Sequence, residues 1–111
     1  MRVRTQDYGD VTVVELQGDL DADFTDLLQG AISDAVANHR NRIVLDMSAV
    51  GFIDSQGLEL LLWVQSRCKD KKVQLRLAGL DENCAKILEV TRLANEFNCY
   101  AELAEAVKSF A

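Results

Sequence analysis

The chain has 111 residues, 49% apolar and 27% charged, with a formal net charge of −6. This is the make-up of one globular domain, spanning residues 1–111, with enough chain to bury a core without disulfides or metals. The acidic balance argues against a nucleic-acid backbone or an anionic membrane surface as partner, since both call for a basic face, and it suits a basic protein partner.

The opening Met-Arg-Val-Arg-Thr-Gln-Asp lacks the apolar core of a signal peptide. The longest apolar run, residues 60–64, is far too short to cross a membrane, so no membrane insertion and a cytoplasmic address are expected. Cys68, Cys84 and Cys99 are odd in number and form no C-x-x-C pair. They read as apolar filler in a reducing compartment, not as a disulfide framework or a zinc site.

In chain order, a weak alternation begins at Val3 and Thr5, and Tyr8-Gly9-Asp10 has turn character. Residues 11–16 alternate as a strand, which makes the start a hairpin. After Gln17-Gly18-Asp19-Leu20-Asp21, either Asp21 or Asp23 can cap a helix over residues 22–38, whose apolar positions are Phe24, Leu27, Leu28, Ile32, Ala35 and Val36. The polar, basic His39-Arg40-Asn41-Arg42 ends it. In residues 43–47 Ile43, Val44 and Leu45 are consecutive apolar positions, the mark of a strand covered on both faces. Residues 55–70 return to helical spacing, with Leu58, Leu61, Leu62, Val64 and Cys68 in a broad stripe and Leu60 and Trp63 off its centre. A strand exposed on one side follows through Val73, Leu75 and Leu77. Asp81 can then cap a helix carrying Ala85, Ile87, Leu88 and Val90, and a bend is expected around Leu93 and Phe97. Cys99-Tyr100-Ala101 is a short strand, and residues 102–110 a terminal helix on Leu103, Ala106, Val107 and Phe110. The order β-β-α-β-α-β-α-β-α predicts an α/β fold: a central mixed sheet of four to five strands with about four helices.

Catalysis is not expected. The one histidine, His39, has no carboxylate or cysteine beside it and reads as solvated or helix-capping. There is no metal-ligand spacing, no glycine-rich phosphate loop and no nucleophile elbow, so neither metal nor cofactor is implied. Asp19, Asp21 and Asp23 could serve acid–base work, but acids spaced so closely before a helix are usually caps.

The chemistry concentrates at Asp54-Ser55-Gln56-Gly57-Leu58, where a buried strand hands over to a helix. Ser55 stands at the expected N-cap, and two readings are open. Its hydroxyl caps the first turn while Gly57 allows close packing, or it accepts a phosphoryl group, which the N–H groups and positive end of a helix tolerate well. Such a group would add roughly 1.5 to 2 negative charges beside Asp54 and near Glu59 and would switch a docking surface without changing the fold.

The segment from Arg42 to Val50, followed by Phe52-Ile53-Asp54-Ser55-x-Gly57-Leu58, resembles the STAS domain of anti-sigma factor antagonists. Gly18-Asp19-Leu20-Asp21 resembles that family's Gly-Glu-Leu-Asp segment, and the likeness runs from about Val3 to Phe110. The resemblance implies partner switching. The dephosphorylated protein binds an anti-sigma factor that is also a serine kinase, phosphorylation of the serine after the Asp releases it, and a phosphatase resets it. Carried over, the acceptor is Ser55, with Asp21, Asp23, Asp54, Gln56, Gly57 and Glu59 at the partner surface. Three positions depart from the family pattern: Gln56 replaces a usual Ser or Thr, Glu59 a small residue, and Arg92 a frequent Gly. A second reading is a constitutive STAS subunit of an ABC transporter or signalling scaffold, with Ser55 only a cap and the apolar strip around Leu60 and Trp63 as its interface. An enzyme or small-ligand carrier, the third reading, lacks a catalytic constellation.

Overall fold

The structure is a computed structural model and describes residues 1–110. Its strands are β1 (Arg2–Tyr8), β2 (Val11–Gln17), β3 (Arg42–Ala49), β4 (Gln74–Ala78) and β5 (Cys99–Tyr100), and its helices are α1 (Thr25–Ala37), α2 (Ser55–Asp70), α3 (Glu82–Val90) and α4 (Leu103–Lys108). Single 3₁₀ turns precede α1 at Ala22–Phe24 and β5 at Ala94–Glu96. The element order is the one expected from the sequence.

The strands form one mixed sheet in the order β1-β2-β3-β4-β5. β1 and β2 pair antiparallel from Arg2↔Gln17 to Tyr8↔Val11 around a turn in which Gly9 takes φ 60. The remaining pairs are parallel, so the parallel strands all end at one pole of the sheet, where β3 delivers the Asp54–Ser55 junction.

Strand alternation divides the core in two. Ile43, Leu45 and Met47 face the larger cluster with Leu28 and Ile32 of α1, Leu61 and Val64 of α2, and Leu88 of α3. Val44 faces the smaller one with Val11, Val13, Ala78, Ala106 and Phe110. Ile43, Val44 and Leu45 are all fully buried, as their unbroken apolar run predicts.

Packing corrects several expectations. β4 is not exposed on one side: α4 covers that face, Ala78 is fully buried, and the Arg76 guanidinium lies 4.7 Å from the centroid of the Phe110 ring. β3 runs on to Ala49. Leu27, assigned to the apolar stripe of α1, is 44% exposed, because the buried face follows Phe24, Leu28 and Ile32 at four-residue spacing. The terminal helix occupies only Leu103–Lys108.

Three helices stop in the same way. After α1 His39 donates to the Val36 carbonyl and Arg40 to that of Ala35; after α2 Lys72 donates to Lys69 and Val73 to Cys68; after α3 Arg92 donates to Glu89 and Leu93 to Leu88. These are Schellman closures, which place their first outer residue in the left-handed region. His39, Lys72 and Arg92 hold φ of 61, 58 and 62. Arg92 therefore keeps the turn in which the family often has glycine and does not extend α3.

Candidate functional site

The sheet's last backbone bonds build the junction. Beyond the paired region, Gly18 donates to the Ala49 carbonyl at 3.1 Å, Leu20 to that of Phe52 at 2.8 Å, and Asp54 to that of Leu20 at 3.2 Å. Leu20 and Ile53 form a single parallel bridge. The connection after β2 thus runs alongside the connection after β3, carrying Asp21 to the neighbourhood of Asp54. On the other side Asn83 Nδ2 donates to the Gly51 carbonyl at 2.8 Å, and the Cys84 thiol to that of Val50 at 3.4 Å. Residues 50–54 are tied to both neighbours.

The N-cap of α2 is Asp54, not Ser55. Asp54 has extended backbone (φ −91, ψ −176), and its Oδ1 accepts from the Gly57 N–H at 2.8 Å. A carboxylate reaches that donor with the extended cap geometry that the bridge to Leu20 imposes, and Ser55 moves into the first helical position. Its side chain is exposed. The capping reading of Ser55 falls, and the hydroxyl stands at the positive end of a 16-residue helix. Asp54→Ala is expected to cost about 1 to 2 kcal/mol of stability through loss of this cap, measurable by urea unfolding.

Gly57 is buried, and its role is close approach. A Cβ there would collide with the Leu20 carbonyl oxygen, lying 2.9 Å from the carbonyl carbon and 3.0 Å from Ile53 Cγ2. Asp21 resolves the other cap: its Oδ1 accepts from Asp23 N–H at 2.9 Å, so Asp21 opens the 3₁₀ turn and Asp23 is left exposed. Gln56 and Glu59 are exposed and, with Thr25, Gln29, Leu60 and Trp63, line a groove of about 330 Å³ between α1 and α2. Leu60 is only 4% exposed and Trp63 half-buried against the core. Of the apolar strip expected there for a permanent interface, Leu60 belongs to the core and Trp63 keeps a half-exposed ring on the groove.

Sequence reasoning passed over Phe52, 48% exposed two residues before Asp54. Its position in an apolar motif signals burial, but its carbonyl is fixed by Leu20 and its ring is turned out. It also passed over Asn83, which carries no sequence signal, because its partner lies 32 residues away.

The cysteines are structural. Burial pushes the Cys68 thiol up to about 11. Burial, then a hydrogen bond and the charge of Asp81, push Cys84 up to about 12. Only Cys99 is exposed, so a thiol-reactive dye should label it in the native protein and reach Cys68 and Cys84 only on unfolding. Both buried thiols favour the neutral form in the fold. Their contribution is intact below the ordinary thiol value of 9.0 and is lost as pH rises through about 11 to 12. Among the described residues no group of three His, Cys, Asp or Glu could hold a metal. Nor, among the described residues, is any helix long and apolar enough to cross a membrane.

The fold is a single α/β domain whose mixed five-stranded sheet presents an exposed hydroxyl on a clamped strand-to-helix junction. The chain belongs to the STAS domain family, whose model matches residues 2–106. Among curated proteins it is 36% identical over 59 residues to the anti-sigma-F factor antagonist RsfB of Mycobacterium tuberculosis. That alignment covers 53% of this chain and 48% of RsfB, so it spans about half the length of the curated relative. Its structure is similar to that of an anti-sigma factor antagonist from Mycobacterium paratuberculosis (25% identity, TM-score 0.85, 97% of this chain and 92% of that one). The fold also matches SpoIIAA, solved in an unphosphorylated form (19% identity, TM-score 0.81, 98% and 96% of the two chains). The Bacillus protein in its phosphorylated form matches at 19% identity and TM-score 0.75, over 99% and 100%.

Proposed function

We propose that this chain is an anti-sigma factor antagonist. Unphosphorylated, it docks on an anti-sigma factor with serine kinase activity, and phosphorylation of Ser55 releases it. A cognate phosphatase restores the docking form, and the cycle runs in the cytoplasm. The observation that carries the reading is the exposed Ser55 hydroxyl in the first turn of α2, directly after a carboxylate cap. A kinase can reach it, and a phosphate on it meets first-turn N–H groups that have no acceptor within the helix.

The surroundings set the sign of the switch. The connections at this pole, residues 18–24, 50–54 and 79–81, carry Asp19, Asp21, Asp23, Asp54 and Asp81 and no cation. Such a face complements a basic surface on the partner. A phosphoryl group adds roughly 1.5 to 2 negative charges there, into a contact matched to a bare hydroxyl. Gln56 cannot accept phosphate, so Ser55 is the single acceptor of this turn. Glu59, one turn along the same helix, selects a partner with a cation or a polar group at that place. RsfB, whose name states antagonism of an anti-sigma factor, and SpoIIAA, whose two forms differ in phosphorylation, support the reading.

The test is affinity capture of the full chain from its native lysate, with intact-mass measurement of the partner-bound and free pools. The free pool is expected to be heavier by about 80 Da, the mass of one phosphoryl group, with the added mass on Ser55. A free pool without the heavier species under every growth condition overturns the switch.

A further inference from the structure

Helices α1 and α2 both begin at the pole that carries Ser55, because β2 and β3, which feed them, run parallel. Between their first turns lies the groove of about 330 Å³. Two helical faces wall it: Thr25 and Gln29, four apart on α1, and Gln56, Glu59, Leu60 and Trp63, at spacings of three and four on α2. Its floor is apolar, since Leu60 is 4% exposed and Trp63 is packed against the core while still open to the groove. Its rim is polar, with Gln56 and Glu59 exposed.

The charge along both walls has one sign. Residues 21–38, which include all of α1, and residues 54–66 of the cap and α2 hold Asp21, Asp23, Asp26, Asp34, Asp54 and Glu59 and no Lys or Arg. Arg67 follows Trp63 by one helical turn, and Arg2 and the Met1 amino group stand at the start of the edge strand β1, beside Gly18. None of these three lines the groove. Among the described residues the one ion pair joins Arg40 to Asp7, and both cation–ring contacts fall on Phe110. Neither the Glu59 carboxylate nor the Trp63 ring is therefore matched by a cation of this chain.

An open indole face, a carboxylate and two side-chain amides over an apolar floor are the chemistry of a guanidinium site. The guanidinium is flat and weakly hydrated, so it stacks on an aromatic ring while its edge donates to a carboxylate and to amide oxygens. An ammonium has no flat face and holds its water more tightly. The apolar floor suits the methylene stem of an arginine.

We infer that this groove seats an arginine side chain of the protein that docks at Ser55, with its guanidinium against Trp63 and Glu59. The occupant rests on the docking reading of Ser55, and it adds the side chain that such a partner must present. Continuity places it there. Gln56 follows Ser55 directly and forms part of the groove wall, and Glu59 lies about 6 Å from Ser55 along the helix axis. A partner that covers the hydroxyl reaches the groove on the same face. Glu59 and Trp63 then select among partners, because one with an acid or an apolar side chain at that place leaves the Glu59 carboxylate covered and unpaired.

The test has two arms. In calorimetric titration of the full chain against the anti-sigma partner, Glu59→Gln should weaken the complex by about tenfold and Glu59→Lys by about a hundredfold. Both should keep the parent's melting temperature, because the carboxylate is exposed and unpaired in the fold. Glu105→Gln, which removes an exposed acid on α4 across the sheet, should bind like the parent. The second arm needs no partner: N-acetyl-arginine amide at millimolar concentration is added to the full chain and followed by NMR at the indole N–H of Trp63, the one tryptophan. A saturable shift is expected, lost in Glu59→Gln and weaker by about tenfold with the neutral N-acetyl-citrulline amide. Failure of the docking reading would show as a partner affinity indifferent to Ser55→Asp, and the second arm would still decide the groove. Weakening by Ser55→Asp with both Glu59 variants at parent affinity would overturn the arginine seat alone. No saturable indole shift, or equal shifts with the arginine and citrulline amides, would also overturn it.

Discussion

Gly57→Ala is expected to destabilise the protein by about 3 kcal/mol or more, the upper range for overpacking a closed site. The added methyl group enters the space of the Leu20 carbonyl, and neither partner can move aside cheaply. Leu20 is fully buried, its N–H donates to Phe52, and its carbonyl accepts from Asp54. Retreat of Leu20 would break the bridge that aligns the two connections, and retreat of α2 would pull the Gly57 N–H from the Asp54 carboxylate. Gly30 supplies the control. It lies inside α1 with nothing within 4 Å of its added Cβ, so Gly30→Ala should stabilise by about 1 kcal/mol through helix propensity and a less flexible unfolded chain. Urea unfolding of the two variants should give shifts of opposite sign. A Gly57→Ala protein as stable as the parent would mean that the close approach is not needed.

Ser55→Asp is expected to weaken the partner complex by about tenfold and Ser55 phosphate by about a hundredfold, while Ser55→Ala binds like the parent and cannot be released by kinase. One added charge at a docked acidic face loses complementarity and desolvates poorly, and a near-dianion does so more strongly. All three forms should keep the parent's melting temperature within a few degrees, because a negative group in the first turn of α2 is favoured by the helix dipole. Isothermal titration with the anti-sigma partner measures the affinities, and thermal unfolding measures the fold. Ser55→Asp binding as tightly as the parent would remove the electrostatic basis of release.

Much of the fold was legible because its signals are local. The unbroken Ile43-Val44-Leu45 run announced a strand buried on both faces, and the helical spacing of α1 and α2 announced the layer on one side of the sheet. The covered second face of β4 was not legible. It depends on α4 folding back from 25 residues beyond the end of β4, and the alternation of residues 73–78 is the same whether that helix arrives or not. The site divides in the same way. Asp54, Ser55 and Gly57 could be singled out because they lie close together in sequence. The exchange of cap from Ser55 to Asp54 was not, because the backbone angle that decides it is set by Leu20, 34 residues away in the chain. Leu60 misled because a helix apolar over most of its girth does not reveal which side the neighbouring helix covers, and α1 covers that one.

The central claim is that the charge state of Ser55 sets partner affinity on an unchanged fold. It is tested most directly by preparing the chain with Ser55 stoichiometrically phosphorylated and comparing it with the unmodified chain by calorimetric titration against the purified anti-sigma factor. The expected result is tight binding of the unmodified chain and a loss of about a hundredfold, close to 2.7 kcal/mol, on phosphorylation. Equal affinities for the two forms would contradict it.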